Sequence, residues 1–149
     1  MKNLQWLVLA SLLTALGCGS DDAVKPTPDY AANWVGEYAG IGSFALSNGT
    51  SGDDRPITMS ILAVNPKQIT VAATLVYGEG RNDFTQEFAI LEPDDPDQIT
   101  VEFRFINTKT VYAFTKEGDA ISGSIVTSSL RAGGTWTQDK SMIIEVDRQ

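Results

Sequence analysis

Residues 99–105 read ITVEFRF, and this heptapeptide decides the fold class. Its apolar residues stand at every second position, with Thr100, Glu102 and Arg104 between them. Because successive side chains of a β-strand point to opposite faces, this alternation separates the apolar side chains from the polar ones. The stretch therefore predicts a strand with one face on a hydrophobic core and the other in water.

The same period of two continues on both sides of this stretch. Short apolar-polar alternations are separated by turn-rich tetrads and by Gly-, Asn- and Asp-containing turns. No segment keeps the 3.6-residue period of an amphipathic helix, and Thr, Val, Ile and Gly are too frequent for helices. The segments that we predict as strands are 34–44, 57–64, 69–77, 84–91, 99–105, 110–115, 120–127, 133–137 and 142–147.

Eight or nine short strands joined by hairpin-length loops predict an all-β, antiparallel, up-and-down arrangement. A meander of this size can hide its unpaired edges by closing into a barrel. A two-sheet β-sandwich is the alternative architecture, since strands of about eight residues suit either one.

Composition excludes several classes of function. The chain of 149 residues carries a formal charge of -8, which disfavours nucleic-acid binding because phosphates need a patch of Lys and Arg. It contains no histidine, so the commonest general base and metal ligand is missing. We therefore expect a protein that is not an enzyme, with no catalytic residue, metal or cofactor.

The N-terminus has the pattern of an export signal. Lys2 precedes an apolar block from Leu4 to Leu16. As a helix this block would span roughly 20 Å, well short of the roughly 30 Å hydrocarbon core of a bilayer. It therefore predicts a cleaved signal rather than a membrane-spanning helix.

The end of the signal resembles that of bacterial lipoproteins. The resembling residues are Ala15, Leu16, Gly17 and Cys18. The resemblance implies that Cys18, the only cysteine, is acylated with fatty acids such as palmitate and anchors the protein to a membrane. Ala15 and Gly17 also suit ordinary signal peptidase, which would leave a soluble protein with a free thiol.

These features predict three regions: a signal peptide over residues 1–18, a flexible tether over 19–33 and a β-domain over 34–149. Gly19, in place of an aspartate after Cys18, is similar to the sorting pattern of outer-membrane lipoproteins. We therefore expect a lipid-anchored protein of the bacterial cell envelope, in the outer membrane. A periplasmic or secreted protein is the alternative.

The β-domain also resembles small lipocalin-like barrels of the calycin group. It opens with a W-x-G-x-Y-x-G pattern and closes with G-T-W; the residues are Trp34, Gly36, Tyr38, Gly40, Gly134, Thr135 and Trp136. The resemblance implies that Trp34 packs across the bottom of the barrel and that an arginine, for which Arg148 is the candidate, stacks on it.

Lipocalin-like resemblance implies a small apolar ligand inside the barrel. Eight strands enclose a space that side chains just fill or that holds one small ligand. The candidate ligand-binding residues are Trp34, Tyr38, Phe103, Phe105 and Trp136. Further large candidates for the inside are Phe84, Phe88 and Phe114; small residues that would leave a pocket are Ala72, Ala73, Ala113, Gly123 and Ser124.

The alternative function is an envelope protein-protein interaction module, an inhibitor or an assembly subunit, with a filled core and no ligand cavity. Loops would then carry the contacts, and the loop at Asn48 and the segment 78–83 are the candidates.

Acidic residues give no clear site. Carboxylates occur at 53–54, within a predicted long loop 47–56, and at 94–97. Carboxylate oxygens are ligands that Ca²⁺ binds, but neither group has the spacing of a calcium-binding loop. Glu87 and Glu102 fall on the polar faces of their strands, which predicts exposure rather than acid-base chemistry.

Overall fold

The computed structural model describes residues 28–77, 80–89 and 94–149. The predicted signal, its Cys18 and most of the predicted tether lie outside the described residues. A short 3₁₀ helix (Ala31–Asn33) precedes the strands. The strands are β1 (Gly36–Leu46), β2 (Ser51–Asn65), β3 (Gln68–Tyr77), β4 (Gly80–Ala89), β5 (Gln98–Phe105), β6 (Thr108–Glu117), β7 (Ala120–Leu130) and β8 (Trp136–Arg148).

All eight strands belong to one antiparallel sheet in the order β4-β3-β2-β1-β8-β7-β6-β5. Strands that follow one another in the chain pair, except β4 and β5, and β8 pairs with β1. The up-and-down arrangement is therefore confirmed, and the two-sheet sandwich is wrong.

The sheet curls into a barrel whose ladder is open between its two edge strands, β4 and β5. Aromatic rings pack across this seam. The Phe88 ring on β4 lies 5.3 Å from that of Tyr112 and 5.9 Å from that of Phe114, centroid to centroid, both on β6. Side-chain packing thus holds the edges together where backbone pairing does not.

Several predicted boundaries are wrong. Strand β4 begins at Gly80, so residues 80–83 of the predicted loop segment 78–83 pair with β3 instead. Strand β2 begins at Ser51, so Asp53 and Asp54 lie in a strand rather than in a long loop. The last two predicted strands belong to the single strand β8, because Lys140 and Ser141 pair with both β1 and β7 and Gln138 pairs with β7. Pairing with two neighbours thus overrides the turn-like composition of those residues.

Alternate residues of the strands face the interior and form one core. In β5 the burial expected for residues 99–105 falls off along the strand: Ile99 is 2% exposed and Phe105 is 76% exposed. The largest fully buried side chains of the strands are Tyr38, Phe88, Ile57, Met59, Ile61, Ile69, Leu75, Ile121, Met142, Ile144 and Val71.

Trp34 closes one end of the barrel. Its side chain is fully buried, and its Nε1 donates a hydrogen bond of 2.8 Å to the carbonyl oxygen of Pro96. The backbone N–H of Ala31, also fully buried, donates to the carbonyl of Pro66. Packing therefore begins in the 3₁₀ helix, just before the predicted domain boundary at Trp34.

Arg148 stacks at this closed end, on a different ring from the expected one. Its guanidinium lies 5.5 Å from the centroid of Tyr38 and donates hydrogen bonds of 3.0 Å to the Tyr38 hydroxyl and to the carbonyl of Asn33. The Tyr38 hydroxyl in turn donates to the carbonyl of Trp34. The expectation that Arg148 stacks on Trp34 is wrong because Tyr38 lies beside it in the β1–β8 register.

Gly40, in the W-x-G-x-Y-x-G stretch, permits the close approach of β1 and β8. A Cβ atom at this position would lie 2.1 Å from the carbonyl oxygen of Glu145. Only glycine fits a backbone contact this close.

Candidate functional site

The end of the barrel opposite Trp34 is the candidate site. Three described turns surround it, at residues 47–50, 106–107 and 131–135. Several inward-facing side chains at this end stay accessible to solvent, whereas those next to Trp34 are buried. We call it the open end.

Five inward-facing residues form the outer row of this end, which we call the rim row. Its members lie on β1, β8, β7, β6 and β5 and are adjacent in the strand registers: Leu46, Lys140, Thr127, Thr110 and Phe103. The hydroxyls of Thr110 and Thr127 lie 3.2 Å apart and share a hydrogen bond. All five side chains are partly accessible. The rim row therefore mixes apolar groups, hydroxyls and one cation.

An aromatic belt, composed of Phe84, Phe88, Phe103 and Tyr112, lies inside the rim row. The Tyr112 ring is its centre, with centroid distances of 6.0 Å to Phe84, 5.3 Å to Phe88 and 5.8 Å to Phe103. Phe88 is fully buried, but Phe84 and Tyr112 are only half-buried and Phe103 is 37% exposed. Aromatic rings that face inward and still contact solvent leave accessible apolar surface inside the open end, and we call this region the hollow.

The Tyr112 hydroxyl supplies a polar group in this belt. Burial raises the pKa of Tyr112, so the phenol is neutral over the physiological range. No hydrogen bond is made by this hydroxyl to any other described residue. It can therefore donate to, or accept from, a bound molecule.

Lys140 is the cation of the rim row. Strand alternation places it on the face of Met142 and Ile144, which are buried, and opposite to Ile143, which is 56% exposed. Its side chain is half-buried, and burial lowers the pKa of Lys140. No carboxylate within the described ranges lies within 4.0 Å of its ammonium.

Three other cations near the open end have partners. Arg104 binds Glu102, and Lys109 lies 3.9 Å from the same carboxylate. Arg131 binds Asp139 at 2.7 Å. The hydrogen bond from Arg104 lowers the pKa of Glu102, which keeps that carboxylate charged. Lys140 and Arg55 have no such partner in the described residues, and of these two Lys140 is the half-buried one whereas Arg55 is exposed.

The five predicted ligand-binding residues do not form one site. Trp34 and Tyr38 close the opposite end, whereas Phe103 belongs to both the rim row and the belt. Phe105 is at the tip of the β5–β6 hairpin and is mostly exposed. Trp136 packs against the outer-face cations Arg104 and Lys109, at 5.8 Å and 5.2 Å from the ring centroid.

Sequence reasoning missed Lys140, Tyr112, Thr110 and Thr127. Lys140 falls between the predicted strands 133–137 and 142–147, although it continues the alternation of Met142, Ile144 and Val146, and that signal could have found it. The small residues do not make the hollow, because only Ala73 and Gly123 among them face inward.

The acidic residues at 94–97 lie away from the open end. Asp94, Asp95 and Asp97 lie beside the closed end, where Asp97 accepts a hydrogen bond from Asn33. Within the described ranges, no group of three or more His, Cys, Asp or Glu is placed to hold a metal ion. Glu87 and Glu102 are exposed, as predicted. Over the same ranges, no helix has the length and apolar character needed to cross a bilayer.

Comparisons with known proteins identify the fold and no family. No protein-family model matches the sequence, and no curated protein matches it. Among solved structures, a redesigned β-barrel is 14% identical, with a TM-score of 0.51, and the match covers 84% of this chain and 99% of that chain.

Two further structures are similar at the same level of identity. A protein of unknown function from the DUF3598 family of Nostoc punctiforme is 13% identical, with a TM-score of 0.51, over 89% of this chain and 53% of that chain. The siderocalin Ex-FABP is 10% identical, with a TM-score of 0.42, over 77% of this chain and 73% of that chain. Such identities show the fold alone, and the two structures with a TM-score of 0.51 confirm the expected β-barrel.

Proposed function

We propose that this protein is a binding module that holds a small, largely apolar molecule in the open end of its barrel. The observation that carries the proposal is the aromatic belt, in which the rings of Phe84, Phe103 and Tyr112 face inward yet remain partly accessible to solvent. Covering apolar surface is favourable by about 25 cal/mol per Å². A molecule inserted beside Phe84, Phe103 and Tyr112 would gain that free energy.

The polar groups of the open end suit binding rather than catalysis. Small-molecule sites are mostly apolar, with a few polar groups that fix orientation. The hydroxyls of Thr110, Thr127 and Tyr112 and the ammonium of Lys140 are groups of that kind. The sequence has no histidine to act as a general base, and we propose no enzymatic activity.

Filling the hollow should abolish binding. Val101 faces inward opposite Tyr112, so Val101→Trp would occupy the space beside the aromatic belt. Val111 pairs with Glu102 on the outer face, and Val111→Trp is the matched control. We expect the uncharged fluorescent probe N-phenyl-1-naphthylamine to bind the wild type and V111W saturably, and V101W at least about tenfold more weakly.

Circular dichroism of all three proteins establishes that they are folded. The proposal fails if the folded wild type does not bind the probe, or if folded V101W binds it as tightly as V111W does.

We further propose that the protein is anchored by lipid on Cys18 in the bacterial cell envelope, at the outer membrane. The sequence of residues 1–18 supports this, with a periplasmic or secreted protein as the alternative. The described residues begin at the closed end, so the proposed tether would join the barrel at the end that does not bind the molecule. Mass spectrometry of the mature N-terminus tests the anchor: acylated Cys18 supports it, and a free thiol in the aqueous fraction contradicts it.

A second candidate function is binding of an envelope protein through the tip of the β5–β6 hairpin. Phe105 is 76% exposed and the adjacent Ile106 is 81% exposed, which places two large apolar side chains on one turn. This candidate predicts that Phe105→Ser removes in-cell cross-links to one envelope protein. If the small-molecule proposal is right, F105S leaves binding of the probe within about twofold of the wild type.

A further inference from the structure

We infer that the bound molecule is an anionic amphiphile whose single negatively charged head group pairs with Lys140 and whose apolar tail lies against the aromatic belt. The inference rests on the proposed function and specifies its ligand class.

Lys140 has no counter-ion among the described residues. A half-buried ammonium loses part of its hydration and needs an opposite charge or several hydrogen bonds in return. Its register neighbours in the rim row are Leu46 on β1 and Thr127 on β7, neither of which carries charge. The nearby Asp139 binds Arg131 and Ser129 instead. An anion in the hollow would supply the partner that the described residues do not.

The groups that follow Lys140 in the rim row, on β7 and β6, are polar. Next to Lys140 in the rim row, the paired hydroxyls of Thr110 and Thr127 can donate hydrogen bonds to a head group. Charge-assisted hydrogen bonds to an anion are roughly twice as strong as neutral ones. A ligand amine at this position would instead be repelled by the ammonium.

The polar groups and the aromatic rings of the open end occupy different depths along the strands. Tyr112 lies two residues deeper in β6 than Thr110, which is about 7 Å along the strand. The cation and the threonines are therefore at the rim, and the belt formed with Phe84 and Phe88 lies further inside. This order places the head group at the rim and the tail in the hollow.

Probes that share a ten-carbon tail and differ in head group distinguish the contribution of charge to the affinity from that of apolar contact. Calorimetric titration of the full-length chain would compare decanoate, 1-decanol, decylamine and acetate. We expect decanoate to bind at least about tenfold more tightly than decanol, which is the factor that one partly buried charge-assisted bond contributes. Decylamine should bind more weakly than decanol, and acetate should not bind at millimolar concentration.

Variants of Lys140 test whether this residue causes the preference for decanoate over decanol. Lys140→Met should remove the preference for decanoate and leave the affinity for decanol within about twofold, whereas Lys140→Arg should keep most of it. Lys109→Met is the matched control, since this lysine lies near the same end on the outer face, and it should keep the preference. Circular dichroism of each variant confirms folding.

The outcomes distinguish the inference from the proposed function. If wild type binds decanoate and decanol equally, or if K140M keeps the preference, the inference is overturned while binding of apolar molecules stands. If acetate binds as tightly as decanoate, the site recognises a free anion and the amphiphile is excluded. If none of the ten-carbon probes binds, both the inference and the proposed function fail.

Discussion

Lys140 occupies a position that packing alone would give to an apolar side chain. The next inward-facing residues of the same strand are Met142, Ile144 and Val146, all buried. Burial of an unpaired ammonium disfavours its charged form, and for this reason the pKa of Lys140 is lowered. The residue therefore weakens the fold in the absence of a ligand, as groups in binding sites often do.

Replacing this lysine should stabilise the empty protein. We expect Lys140→Met to raise the urea midpoint of unfolding at pH 7, because the variant buries no charge. Lys109→Met, which removes a lysine next to Glu102, should leave the midpoint unchanged or lower it. A lower midpoint in K140M than in the wild type would mean that the ammonium has a stabilising partner.

The same residue gives a pH dependence of definite sign. Between the lowered pKa of folded Lys140 and its ordinary value of about 10.4, the unfolded chain binds more protons. Stability of the wild type should therefore rise with pH across that interval, since the penalty is complete below it and absent above it. Tyr112, whose pKa is raised by burial, acts in the opposite direction, so the difference between wild type and K140M isolates the lysine.

The β5–β6 hairpin shows strain at the scale of an element. Phe105 and Thr108 pair directly, which leaves Ile106 and Asn107 as a two-residue loop. Such loops need a positive φ at their first central residue, and glycine usually supplies it. Here Ile106 adopts a φ of +50°. For a β-branched residue this conformation costs about 1–2 kcal/mol, and its side chain is 81% exposed, so little packing compensates.

Glycine at this turn should relieve the strain. We expect Ile106→Gly to stabilise the protein by about 1 kcal/mol in urea unfolding, because glycine tolerates the positive φ. Ile143→Gly is the control: Ile143 is 56% exposed but lies in β8, where glycine should destabilise. A destabilised I106G would show that the isoleucine makes favourable contacts in the fold.

The whole molecule is asymmetric along the barrel axis. The chain enters at the closed end, where Trp34, the 3₁₀ helix and Arg148 seal the core. Hydroxyls, a cation and partly wet aromatic rings occupy the other end. The closed end keeps water out of the core. The open end remains accessible, so that a molecule can enter there.

Removal of the 3₁₀ helix tests this division. A chain that begins at Trp34 loses buried Ala31, its hydrogen bond to Pro66 and the contacts of Asn33 with Arg148 and Asp97. We expect a loss of about 2 kcal/mol relative to a chain that begins at Pro28, measured by urea unfolding. Probe binding at the open end should be equal in the two. Equal stabilities would mean that the helix is not part of the domain.

The local residue pattern determined the antiparallel hairpins. Alternation of apolar and polar side chains depends only on neighbouring residues, and it indicates a strand wherever it occurs. The position of Trp34 at the bottom of the barrel was implied by the resemblance of its motif to lipocalin-like barrels. The partner of Arg148, the continuous strand β8 and the outward position of Trp136 depend on register between distant strands, which local pattern does not specify.

The sequence by itself determined the fold class, the acidic charge and the absence of histidine chemistry, since each depends on residue types and their spacing along the chain. Only the tertiary structure decided which side chains share the hollow. Leu46, Lys140, Thr127, Thr110 and Phe103 meet in one row because five strands pair in one register. A shift of one residue in any strand would turn its side chain to the outer face.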